Sequence, residues 1–497
     1  MESIPTTGLM RPAGKERFLE KLREREEEAR RLAAVKAEQK PVDTAEISST
    51  ASSGRPAVKE GPPEPPQAPE KKEWTVLCYI DGNNDLEPYA TFSMLDLEKA
   101  GSSREVNVLA ELGRISQDRL KEINAQLGRP YEPTGIDGDW AGVRRYEVKK
   151  DDPADPGAVR QINSPAVADM KDADMSNPAT LSDFLVWGVK KYPAKHYLVV
   201  LMDHGGGWLG AFTDDASAGG HHIMTTPQIS QAFKELEKQT GVKPDVVDMV
   251  ACLMGSGEVA HQVKDSMKYL VASEEIGTTD SFEYSPNVEF LQKKVASGEE
   301  FTARDLARHL VTYYADRPSA FVTKSAIDLS KMGEVKDAID GLARALIATD
   351  ASPAAIKEAI NKAQNFSRVY YLEFYSHFRD LYSVAEQLAK SDKIADPKVK
   401  EAAGMVMKSV KEAVIEKVSS PYSREEVLDV SQSPDGKEEI TLMKVSRGKM
   451  EAEGISIYAP TDKKYTDDGA TMGRYGALDL ARETQWDEFL RKNTMES

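Results

Sequence analysis

The sequence predicts an α/β fold: a mostly parallel sheet covered by helices. Short apolar runs rich in β-branched and aromatic residues recur along the chain. Stretches of helical periodicity separate them, which calls for right-handed crossovers between parallel strands. Two of the most apolar runs end in a Gly-rich turn, one carrying a histidine and the other a cysteine. In such sheets, sites lie at the carboxyl ends of the strands.

WTVLCYI (74–80) reads as a buried strand, followed by a helix from about Glu87 to Lys99 and a strand VNVLAEL (106–112). Residues 113–178 are polar and punctuated by Pro and Gly. They read as an insertion with short strands such as VRRYEVKK (143–150). LSDFLVWGVKKY (181–192) is helical, and HYLVVLM (196–202) is the most apolar strand. Thr226-Pro227 reads as a cap and first helical residue, after which Ile229, Phe233 and Leu236 share a face. DVVDMVA (245–251) is a strand, and helix EVAHQVKDSMK (258–268) leads to strand YLVAS (269–273). Residues 300–420 are mainly helical. GISIYAP (454–460) reads as a late strand and ETQWDEFLRK (483–492) as a closing helix.

This gives four segments: a charged N-terminal helix (1–40), a disordered Pro/Ser-rich linker (41–72), an α/β core (73–300) and a mostly helical C-terminal part (301–497) packed on or completing it. In the first, Phe18, Leu22, Ala29 and Leu32 make only a thin apolar stripe, which suits a solvated helix or a docking element for a protein partner. The linker lacks aromatic residues and buries too little apolar surface to offset its ordering entropy.

Of the 497 residues, 40% are hydrophobic, enough for a sizeable core. The formal net charge of -17 argues against a general nucleic-acid binder, whose affinity rests on Lys and Arg meeting phosphates. It confers solubility, and acidic walls also attract basic substrates. The two cysteines, Cys78 and Cys252, make neither a disulfide framework nor a four-cysteine zinc site. No run of about 18 apolar residues is present, so no membrane partner is expected. The N-terminus lacks an apolar signal core, so the expectation is a cytoplasmic protein, with a secreted one as the alternative if a signal was removed.

One strand ends in Asp203-His204-Gly205-Gly206-Gly207-Trp208, another in Val250-Ala251-Cys252-Leu253-Met254-Gly255. If those strands are neighbours, both side chains emerge at one sheet edge. A thiol attacks as thiolate, and a nearby histidine serves as base or as imidazolium partner, then protonates the leaving amine. The spacing from His204 to Cys252 matches the caspase-type pattern of a histidine about 50 residues upstream. The N–H groups of Gly205 and Cys252 are the candidate oxyanion donors. On chemistry alone, a buried structural cysteine and a satisfied polar histidine remain open.

GGGWLG (205–210) matches the dinucleotide fingerprint literally, but loop sequence follows where that fingerprint must open a helix. Asp214, Asp215, His221 and His222 lie in a Gly/Ser-rich loop without recognised metal spacing, so no metal site is assigned. P-loop, H-E-x-x-H and G-x-S-x-G motifs are absent.

Taken together, WTVLCYIDGNNDLE (74–87), DADMSNPATLSDFLVWGVKKYPAKHYLVVLMDHGGGW (172–208), ACLMGSGEVAHQVKDSMKYLVASEE (251–275), SAIDLSKM (325–332), FRDLYSVAEQL (378–388), GISIYAP and TQWDEFL resemble the clostripain-like cysteine peptidases over about 74–492. The resemblance implies a caspase/hemoglobinase-like fold with a helical C-terminal extension. It also implies endopeptidase activity on proteins or peptides, usually after Arg or Lys, with Cys252 and His204 as catalytic residues. Val250, Ser273 and Glu275 would line the specificity pocket. No cofactor is required, and calcium, on which some relatives depend, is held open. Two departures stand out. Val250 occupies a position that is commonly Asp in the family, which puts basic specificity in doubt; Asp248 shares its strand face by period two but lies deeper, and Asp203 and Glu275 are the other acids placed to compensate. From Leu209 to Phe233 there is no Lys or Arg, so self-cleavage at a basic residue in the loop after the histidine is not expected. The altered pocket and the N-terminal extension also suit a non-catalytic scaffold that binds a protein partner; the retained dyad opposes that reading.

Overall fold

The computed structural model describes residue 31 and residues 71–126, 131, 134–217, 222–277, 282–314, 323–366, 377–419, 423–432, 438–447, 451–462 and 473–495. The expected N-terminal helix, apart from Arg31, and nearly all of the expected linker lie outside the described residues.

The strands are β1 (Lys72–Ile80), β2 (Val106–Arg114), β3 (Gly142–Glu147), β4 (Ala166–Lys171), β5 (Ala194–Met202), β6 (Ala211–Asp214), β7 (His222–Met224), β8 (Val246–Val250), β9 (Tyr269–Ala272), β10 (Thr323–Asp328), β11 (Phe378–Asp380), β12 (Val414–Ser419), β13 (Ser423–Gln432), β14 (Glu438–Arg447) and β15 (Ser456–Tyr458). Nine of them form one sheet in the order β12-β10-β9-β8-β5-β1-β2-β3-β4. The run β2-β1-β5-β8-β9 is parallel, and antiparallel strands flank it on both sides. The sheet is therefore mixed, and its parallel centre is what the alternation of strands and helices dictated. The edge strand β12 and its neighbour β10 lie within the stretch read as mainly helical. TKSAID carries no apolar run, so pairing with β9 on one side and β12 on the other makes it a strand.

The central strands are predominantly apolar because helices cover both faces. Successive side chains point to opposite faces. Leu77, Tyr79, Val199, Leu201, Val247 and Met249 pack on one side beneath helices Pro178–Lys191, Thr226–Thr240, Gly257–Val263 and Met332–Ala348. Val76, Cys78, Ile80, Val200, Met202 and Val250 pack on the other, against helices Glu87–Ala100, Ser285–Ser297 and Ala303–Thr312.

Capping sets several boundaries. Asn177 accepts from the N–H of Ala179, and Pro178 follows at the first helical position, where its missing N–H is harmless. The helix expected to be capped by Thr226 is capped one residue earlier. Thr225 has extended backbone and forms a reciprocal capping box with Gln228. The Thr226 hydroxyl instead donates to the carbonyls of Gly207 (3.3 Å) and Trp208 (2.9 Å), tying this helix to the histidine turn. The segment after that turn is not all loop, because β6 and β7 pair as a small hairpin.

Candidate active site

Strands β1, β5 and β8 end level: Ile80 pairs with Met202, and Met202 with Val250. The chain leaves β1 towards β2 on one side and returns to β5 on the other, so the sheet order reverses between β1 and β5, where α/β sheets place their sites. The turns after β1, β5, β8 and β9 meet there.

The turn after β1 is rigid. The Asp81 carboxylate accepts from the N–H of Asn83 (2.9 Å), and the Asn84 side chain accepts from that of Leu86 (2.8 Å). Asn84 also donates to Asp203 (2.7 Å) and to the Thr213 carbonyl (2.8 Å), while Asn83 donates to Asp214 (2.8 Å). Asp203 further accepts from the N–H of Thr213 (2.6 Å). Buried and spent on these contacts, Asp203 braces the turn and is not available to a specificity pocket. Asp214, one of the loop acids weighed as a metal ligand, accepts backbone N–H groups from Met175, Ala216 and Ser217. His222 faces Asp174 at 3.5 Å, and His221 lies outside the described residues. Among the described residues, no group of three or more His, Cys, Asp or Glu side chains is gathered to hold a metal ion.

The braced turn delivers Asp85 to His204, whose Nε2 lies 2.8 Å from an Asp85 oxygen. Burial disfavours the imidazolium, but the Asp85 carboxylate, with Asp203 and Asp215 behind it, outweighs burial, and the His204 pKa is raised. The sequence reading grouped Asp85 into an Asp/Asn-rich turn without giving it a role. Its signal was an acid at the end of a strand next to the histidine strand, but that adjacency is a fact of topology.

Cys252 lies just beyond β8. The next residue, Leu253, has φ 64°, a left-handed conformation that costs a non-glycine residue about 1–3 kcal/mol and recurs at functional turns. The turn ends at Ser256, which caps helix Gly257–Val263. The Cys252 sulfur accepts from the N–H of Gly277 (3.3 Å), and the Gly205 N–H also stabilises its anion. Even so, burial pushes the thiol pKa up to about 11, with Glu275 and Asp203 adding to the rise. Cys78 is fully buried in β1 and its thiol is pushed higher still, again by burial. Of the two cysteines, Cys252 is the one at the sheet edge.

Gly205 brings the two turns together. A Cβ there would lie 2.2 Å from the Cys252 carbonyl oxygen and 2.8 Å from its nitrogen, so only glycine permits the packing. Gly205 and the Cys252 backbone are thus in contact, the two groups expected to hold an oxyanion. Val250 and Ser273 are buried at the ends of β8 and β9. The Ser273 hydroxyl donates to the Glu275 carbonyl (2.9 Å), and that carbonyl also accepts from the N–H of Leu253 (3.3 Å).

The C-terminal part backs both turns. Ser456 in β15 donates its N–H to the Gly255 carbonyl (2.9 Å). Trp208 of the histidine turn packs edge-on against Tyr458 and Tyr475. Both of those residues donate to buried Glu258, Tyr458 through its N–H and Tyr475 through its hydroxyl, at 2.9 Å each.

A histidine and a cysteine at level ends of adjacent parallel strands, within a helix-covered sheet, define the class of cysteine-dependent hydrolases. The profile of the clostripain family matches residues 78–493, and the chain belongs to that family. It is a cysteine-type endopeptidase acting on proteins or peptides. Clostripain of Hathewaya histolytica is 22% identical over 441 residues, covering 79% of this chain and 76% of that protein. Two solved structures share the fold. One is a secreted C11 cysteine protease from Bacteroides thetaiotaomicron in complex with an irreversible peptide inhibitor (TM-score 0.54, 16% identity, 84% of this chain and 99% of that one). The other is an inactive zymogen C11 protease from Parabacteroides distasonis (TM-score 0.54, 17% identity, 84% and 99%).

Proposed function

We propose that this endopeptidase works through Cys252 as nucleophile and His204 as proton carrier, with Asp85 positioning the histidine. The observation that carries the proposal is that His204 Nε2 is engaged by Asp85 while Gly205 seats the histidine turn on the backbone of Cys252. With Nε2–H donated to Asp85, the nitrogen left for proton transfer is Nδ1. The pKa order supports general-base activation: a thiol near 11 stays protonated at neutral pH until the carbonyl is in place.

Nδ1 takes the thiol proton as Sγ bonds to the carbonyl carbon. The carbonyl π pair moves to oxygen, and the N–H groups of Gly205 and Cys252 hold that oxyanion. Collapse expels the amine, which leaves with the proton from Nδ1, and a thioester remains. Water attacks the thioester and gives its proton to Nδ1, and the thiol is restored as the acid product leaves. Val250, Ser273 and Glu275 line the pocket for the residue before the scissile bond.

Purified protein and a Cys252→Ala variant are incubated with a diverse peptide library, with and without calcium, and products are mapped by mass spectrometry. Cleavage lost in the variant is expected. Cleavage that survives it places the nucleophile elsewhere and sinks the proposal; no cleavage with or without calcium, together with failure of a peptidyl electrophile to label Cys252, sinks it too and returns weight to the scaffold reading.

Among the described residues, no helix is long and apolar enough to cross a membrane. Cytoplasmic residence gains no support from the relatives. A solved neighbour is described as secreted, and the secreted alternative fits. Activity in culture medium against cell lysate decides between them.

A further inference from the structure

The face of the sheet beside Cys252 carries a buried ion pair that the mechanism does not use. Met202 pairs with Val250; Asp248 pairs with Val271, which places Val250 opposite Ser273; and Ser325 pairs with Ala272, which places Lys324 opposite Ser273. Val250, Ser273 and Lys324 thus form one row across β8, β9 and β10, on one face and at the strand ends next to the nucleophile. Asp248 lies on that same face, two residues deeper on β8.

Lys324 is 4% exposed and Asp248 fully buried. The Lys324 ammonium is 2.9 Å from one Asp248 oxygen and 3.2 Å from the other, and sits 4.4 Å over the Tyr314 ring. The Tyr284 hydroxyl donates to the same carboxylate (2.9 Å). A buried carboxylate requires a cation, and here the chain supplies it. A substrate's Arg or Lys in this row would bring a second positive charge against an ammonium already in place. An acidic side chain would meet a carboxylate whose cation is already engaged. The arrangement admits an uncharged side chain against Val250.

We propose that Lys324 is the specificity-determining residue of this peptidase: its ammonium occupies, from within the fold, the place a basic substrate side chain would take on Asp248, and the enzyme cleaves after uncharged residues. This rests on the assignment of Val250 and Ser273 to the pocket beside Cys252.

The test is kcat/KM for peptides that differ only in the residue before the scissile bond, measured with the full chain. Wild type is expected to cut after uncharged residues at least tenfold better than after Arg or Lys. Lys324→Ala, which exposes Asp248 to the substrate, is expected to reverse that preference. Because a lone buried carboxylate strains folding, Lys324→Met/Asp248→Asn serves as a second variant. It carries no charge on the floor and is expected to narrow the discrimination against Arg and Lys. Wild-type cleavage after Arg or Lys, or unchanged discrimination in a folded variant, overturns the proposal and leaves the peptidase intact. Loss of all cleavage together with absence of Cys252 labelling instead sinks the peptidase mechanism, and the specificity proposal with it.

Discussion

Asp85 raises the basicity of His204 through one bond of 2.8 Å, and that bond makes a prediction with a sign. As general base, His204 must be neutral, so activity rises as pH climbs through its pKa. Asp85→Asn removes the foremost of the charges that raise the pKa, and the acid limb of kcat/KM moves to lower pH. The same variant no longer fixes the tautomer, and kcat falls on the order of 10²-fold. A pH–rate profile of the two proteins reads both effects; an unmoved acid limb denies Asp85 its role. Gly205 makes a second prediction. Gly205→Ala puts a methyl group 2.2 Å from the Cys252 carbonyl oxygen, so the turns separate and peptidase activity drops at least as far. Steady-state kinetics alongside circular dichroism distinguishes this from unfolding.

At the scale of elements, the site is held by partners distant in sequence. The Thr225 capping box starts helix Thr226–Thr240, whose first residue grips the carbonyls of the histidine turn. Thr225→Ala is expected to cost about 1 kcal/mol by denaturant titration. The turn after β9 carries Glu274, buried beside Asp380 at the end of β11. Burial first and Asp380 second raise the Glu274 pKa well above the carboxylate range, and burial raises Asp380 to about 6. The pair therefore holds a proton. Glu274 also accepts the N–H of Gly454 (2.9 Å), so that proton joins the nucleophile side of the sheet to the segment entering β15.

The whole molecule inherits this chemistry as pH-dependent stability. Glu98 and Glu111 are raised to about 7, chiefly by burial, and His204 is raised too. A carboxyl raised on folding favours the native state when protonated, and its contribution is lost as pH rises towards the folded value. A raised histidine also loses its contribution as pH rises, so the two kinds of group act in the same direction. Half-buried His309, lowered to about 4, and buried His261, also lowered, oppose them only below about pH 6.5. The thermal midpoint is thus expected to rise as pH drops from 8 to 6.5, and Glu274→Gln to flatten that dependence. Calorimetry across the range checks it; a midpoint that falls over this interval contradicts the assignment.

Much of this molecule follows from sequence-local causes. WTVLCYI, HYLVVLM and DVVDMVA are mostly apolar on both faces, as helix-covered strands require, and their Gly-rich ends mark the edge where the proposed site lies. The residue identities at that edge, His204, Gly205 and Cys252, were legible because reactive groups in close-packed turns need glycine beside them. What the sequence left hidden depends on chain crossings. TKSAID became β10 only by pairing with β9 and β12. The cap moved from Thr226 to Thr225 because the Thr226 hydroxyl was wanted elsewhere. Asp85 reached His204 because β1 and β5 are neighbours although residues 81–193 lie between them. Asp203 was spent on bracing a turn, and Lys324 met Asp248 across β9. Periodicity and composition record what each segment must bury; which charges face each other across the sheet is decided only when strand order and register are set.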